Sequence, residues 1–109
     1  MKKLFLPILT LLISLTTMTA EAANPKVVIE TTEGNITLEL YANKAPQTVE
    51  SFLKYVDSNH YDGIIFHRVI SGFMVQGGGY DEKYKERATR APVPNEANNG
   101  LKNDRGTIA

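Results

Sequence analysis

The sequence predicts a mostly β fold, a sheet or barrel with one capping helix. Ile36, Leu38 and Leu40 alternate with Thr37 and Glu39, the period of a strand with one buried face. Helical spacing occurs clearly at Val49, Phe52, Leu53 and Val56. Two more short apolar runs, 64–70 and 73–76, are bounded by glycine-containing turns, so strands outnumber helices.

The first segment stands outside that fold. Lys2 and Lys3 precede an apolar stretch from Leu4 to Thr17, and small residues follow at Ala20, Ala22 and Ala23. That order predicts a secretory signal peptide over residues 1–22, cleaved after Ala22 or Ala23. The apolar stretch is short for a bilayer span and contains Pro7, so no membrane contact is expected after cleavage. Residues 23–109 then form a single small domain. The chain has 12 basic and 12 acidic residues; without Lys2, Lys3 and Glu21 the mature part is near −1, which favours neither nucleic acid nor an anionic membrane. There is no Cys, so no disulfide can compensate for a thin core.

Lys26 to Thr32 reads as a strand rich in Val27, Val28 and Ile29. Glu33-Gly34-Asn35 reads as a turn, which pairs this strand with the alternating one in an antiparallel hairpin. Pro46 suits the first helical position, where its missing N–H costs nothing. The helix is expected to stop near Asn59 and to cover one end of a sheet. Ile64 to Ile70 and Phe73 to Gln76 read as a third and fourth strand around Ser71-Gly72. Residues 80–105 are polar and turn-rich, with Pro92 and Pro94 keeping the chain extended.

The segment from Phe66 to Gly78 holds the chemistry. It carries an imidazole (His67), a guanidinium (Arg68), two Phe rings (Phe66, Phe73), Met74 and the carboxamide of Gln76. Strand alternation groups Phe66 with Arg68 and Ile70, and Met74 with Gln76, but a bend at Ser71-Gly72 leaves the relative phase of the two groups open. Such a set suits a shallow apolar pocket with a polar rim. Taken singly, each residue also has an ordinary reading, a solvated Arg or a core Phe.

Together, Phe66-His67-Arg68-Val69-Ile70-Ser71-Gly72-Phe73-Met74-Val75-Gln76-Gly77-Gly78 resembles the signature of the cyclophilins, a family of peptidyl-prolyl cis/trans isomerases. Ala45 to Phe52 resembles the family's first helix, Tyr61-Asp62-Gly63 the approach to the signature, and Asn95-Glu96 with Gly100 to Ala109 the stretch leading into a later core strand. Ser71 stands where the family often has Pro, and Gly79 where some members carry Asp. The resemblance implies an eight-stranded antiparallel barrel closed by helices, of which about half is present. It implies catalytic roles for Arg68, Phe73 and Gln76 and substrate contacts for Phe66, His67 and Met74. The rest of the pocket would come from later segments. Because Gly106-Thr107-Ile108-Ala109 stops in the pattern of a strand, a truncated chain is expected.

The chemistry needs no nucleophile, metal or cofactor. Rotation about X–Pro is slow because the C–N bond has partial double-bond character, and an enzyme accelerates it by binding the twisted amide better than the planar one. The expected clients are X–Pro-containing unfolded or nascent exported polypeptides, in a periplasm, met by a monomer. Rival readings are a module that binds proline peptides without turnover, and an inactive fragment. A nucleotide loop at Gly77-Gly78-Gly79 is opposed by the acidic Asp81 and Glu82 that follow. A metal site from His60 and His67 lacks further ligands at metal spacing. Asn35-Ile36-Thr37 fits a glycosylation acceptor, relevant only in a eukaryotic source.

Overall fold

A computed structural model describes residues 23–109, so the signal-peptide reading of 1–22 lies outside the described residues. Four strands and one helix follow in order: β1 (Lys26–Thr31), β2 (Gly34–Glu39), α1 (Pro46–Asp57), β3 (Arg68–Ile70) and β4 (Met74–Gln76).

β1 and β2 form the expected antiparallel hairpin, from the Lys26–Glu39 pair to the Thr31–Gly34 pair. The turn is tighter than the sequence suggested. Only Thr32 and Glu33 link the strands, and Gly34, with φ 127°, opens β2. The Thr31 hydroxyl fastens the turn, donating to the Gly34 carbonyl at 2.6 Å and accepting from the Glu33 amide at 3.2 Å. The register puts Val27 opposite Leu38 and Ile29 opposite Ile36, so these four share a face.

Helix α1 covers that face at one end. Leu38, Leu40 and Val49 are its buried centre, with Val27, Ile29, Ala42, Phe52 and Leu53 packed round them. Burying each such side chain contributes about 1.5–3 kcal/mol. Ile36 lies on the core face but near the turn, beyond the cover of the helix, and stays exposed.

The helix starts and stops where the sequence indicated. Pro46 occupies its first position, and Ala45 before it has no side chain that can cap. The cap comes from far along the chain: Glu96 Oε1 accepts from the Thr48 amide at 2.6 Å and from the Thr48 hydroxyl at 2.8 Å. These bonds hold the Glu96 carboxyl below its ordinary value of 4.5. At the other end Ser58 closes the last turn, and Asn59 takes φ 58°, which breaks the helix.

Two expectations need correction. The third strand does not run from Ile64; ladder pairing starts at Arg68, with Ile64 making only an isolated bridge to Asp81. The fourth starts at Met74 because Phe73 is taken up in the link, its amide bonding the Ile70 carbonyl. A strand is a partnership, and β4 is three residues long. Nor do the four strands join: β1–β2 and β3–β4 are separate two-stranded sheets.

Candidate functional site

The site residues lie on the β3–β4 hairpin and its two ends. Ser71, Gly72 and Phe73 link the strands, with Gly72 at φ 72° in the third position of the turn, where a type II turn requires it. The register settles the phase that alternation left open. Arg68 pairs with Gln76 and Ile70 with Met74, so all four share one face, while Val69 and Val75 share the other.

On the first face, Arg68 Nη1 donates to Gln76 Oε1 at 3.4 Å. That is a long contact between exposed groups, and it uses one of the guanidinium's five donors. Among the described residues the ion pairing is between Lys54 and Glu50, at 3.2 Å, and does not involve Arg68. The cation is therefore aimed by Gln76 but not neutralised. Met74 is half-buried beside them.

The other three candidate residues are placed differently. Phe73 sits in the link, outside the ladder, and is 77% exposed. Phe66 lies over the backbone of Gly77: a Cβ there would stand 2.8 Å from Phe66 Cδ1 and 3.1 Å from the Ile65 carbonyl. His67 is half-buried, its ring edge-on to Tyr80 at 4.7 Å, and its Nδ1 is withdrawn from solvent without a partner among the described residues. The structure thus brings Arg68, Met74 and Gln76 together on one face and sets Phe66, His67 and Phe73 around it.

A layer of contacts below the hairpin was not legible in the sequence. His60 Nε2 donates to the Gly78 carbonyl at 3.0 Å, and the Ile65 amide donates to the Tyr80 carbonyl at 2.9 Å. Arg87 Nη1 donates to the carbonyls of His60 (2.7 Å) and Asp62 (2.6 Å), while its own amide donates to the Gly79 carbonyl at 2.9 Å. Together they tie the chain just before the hairpin to the chain just after it. The His60 ring is lodged edge-on between Tyr55 and Tyr61, at 4.7 and 5.0 Å. Burial raises the Tyr61 hydroxyl above its ordinary value of 10.0, with Tyr55 adding to the effect. In the sequence His60 stands out only as a possible metal ligand, and Arg87 reads as one more charge in a polar loop.

Comparison with known proteins bears on the same residues. The chain is 56% identical over 87 residues to a peptidyl-prolyl cis-trans isomerase of Acinetobacter baylyi, covering 80% of this chain and 46% of that one. It is 52% identical over 83 residues to peptidyl-prolyl cis-trans isomerase B of Escherichia coli, covering 76% and 51%. With peptidyl-prolyl cis-trans isomerase A of Dickeya dadantii it shares 48% over 112 residues, all of this chain and 59% of the relative. The chain thus spans about half the length of the curated relatives it matches. The family profile described as cyclophilin type peptidyl-prolyl cis-trans isomerase/CLD matches residues 26–109, from the first residue of β1 through the signature hairpin and the loop that caps α1, and to that family this chain belongs.

Proposed function

We propose that the protein accelerates cis/trans rotation of X–Pro bonds in unfolded or newly exported polypeptides. The observation that carries this reading is the Arg68–Gln76 cross-strand pair, a guanidinium oriented by a carboxamide yet without a counter-charge among the described residues, on the same face as Met74. The names of the relatives support the reaction class.

The peptide bond resists rotation by about 18–20 kcal/mol. At the twisted midpoint the proline nitrogen regains a lone pair, which the planar imide lacks. Arg68 donates a hydrogen bond to that nitrogen, an interaction present only in the transition state and so effective on rate. A charged hydrogen bond is worth about 1.5–3 kcal/mol, or about one to two powers of ten. Gln76 orients a substrate carbonyl as well as Arg68. Phe73, Met74, Phe66 and His67 offer the proline ring an apolar surround. The remaining acceleration comes from holding one side of the peptide while the other turns.

In this reading residues 23–109 are the first part of an isomerase domain whose strands join a closed eight-stranded barrel. The protein works as a monomer in the periplasm after residues 1–22 are removed. The Lys-led apolar leader supports export.

Exchange NMR on a proline peptide tests the reaction. The full-length protein should broaden the cis and trans signals at substoichiometric concentration. Arg68→Ala should slow exchange about 10- to 100-fold with the melting temperature unchanged. Arg68→Lys should fail to restore it, because an ammonium lacks the planar fork. Peptide binding without line broadening would overturn the reading in favour of a non-catalytic module.

A further inference from the structure

We infer that Arg87 is a positioning residue: it closes the neck of the β3–β4 hairpin and so aims Arg68 and Gln76. The hairpin has only three residue pairs, and Val69, Phe73 and Val75 on it are largely exposed. An isolated two-stranded hairpin of that size holds its own geometry poorly. Its orientation must be set from its ends.

The ends meet at Arg87. Its guanidinium takes the carbonyls of His60 and Asp62, in the turn that leads toward the hairpin. Its backbone amide takes the carbonyl of Gly79, three positions beyond Gln76. His60, gripped at its carbonyl by Arg87, reaches with its ring to the carbonyl of Gly78. The turn before the hairpin and the chain after it are therefore bonded through Arg87 and through the His60 ring, beside the backbone bond from Ile65 to Tyr80. Phe66 and the Ile65 carbonyl pack closely on Gly77 at the same neck. Arg87 suits this work because one of its nitrogens can serve two carbonyls. Loss of the guanidinium leaves both turn carbonyls without their donor and loosens the turn at the hairpin's entry.

The kinetic part of this inference rests on the proposed isomerase activity; the structural part does not. Both can be read on the full-length, isotope-labelled protein carrying Arg87→Met, which keeps the stem and removes the donors. At a temperature where circular dichroism shows the variant folded, the Arg68 Nε–H and Gln76 side-chain amide resonances should move. Turnover should fall about tenfold with KM within about twofold, the pattern of a misaimed group and not of a lost binding contact. Resonance changes confined to 58–65 and 77–87, with turnover intact, would overturn the inference. If Arg87→Met does not fold, His60→Leu breaks the ring bond to Gly78 and is judged by the same readouts. A wild-type protein without turnover would sink the isomerase reading alone, and the resonances of Arg68 and Gln76 would then decide the role of Arg87.

Discussion

The two hairpins of this molecule are built on opposite plans. In β1–β2 six residue pairs present a continuous apolar face, and α1 lies on it; the order comes from beneath. In β3–β4 three pairs carry a guanidinium and a carboxamide into the open beside a half-buried thioether, and the order comes from the neck. The difference separates stability from chemistry. A side chain committed to a core cannot reach a substrate, and one free to reach a substrate contributes little to the fold. Polar ties at the base of the hairpin reconcile the two requirements.

Substitutions can break that contrast. The largest effect on stability should come from Leu38→Ala, which empties the centre of the first region: about 2–5 kcal/mol, measured by urea unfolding of the full-length protein. A loss under 1 kcal/mol would mean that α1 does not seal this face as described. Next comes Gly77→Ala. Phe66, 45% exposed, can swing from the new methyl, but the Ile65 carbonyl cannot, so about 1–3 kcal/mol should be lost. Gly79→Ala sharpens the comparison. No atom lies within 4 Å of its added Cβ, so it should be neutral or gain a few tenths of a kcal/mol. Equal effects at the two glycines would refute this close packing.

The smallest effect should be a pH dependence. Glu96 has its folded pKa lowered by the Thr48 bonds, so its contribution is present above the unfolded value and lost as pH falls through the folded one. The melting temperature of the wild type should therefore drop more steeply below about pH 4.5 than that of Glu96→Gln. Parallel curves would place the acid sensitivity elsewhere.

The regions also differ in how much of them the sequence discloses. Ile36, Leu38 and Leu40 announce a strand, and Val49, Phe52, Leu53 and Val56 a helix, because a buried face repeats with the period of its backbone. The pairing of Arg68 with Gln76 was half legible. Both residue types stood out, but alternation could not carry phase across a three-residue link whose geometry depends on Gly72. The overlong third strand has a similar origin: residues 64–67 have the composition of a strand, but β4 is too short to pair with them. Arg87, His60 and Glu96 were not legible as ties at all. A polar residue in a polar loop carries no mark of its partner, and each of these partners lies between 18 and 48 positions away.

The distance between Glu96 and Thr48 has a consequence for how the chain is made. Pro46 has no amide to satisfy and Ala45 offers no cap, so the third residue of α1 waits for an oxygen 48 residues downstream. Synthesis proceeds from the N-terminus. The β1–β2 hairpin can therefore close early with its own hydroxyl at Thr31, whereas the start of α1 lacks its cap until residue 96 has been made. In that interval the hairpin has its turn bond and the helix start lacks its cap.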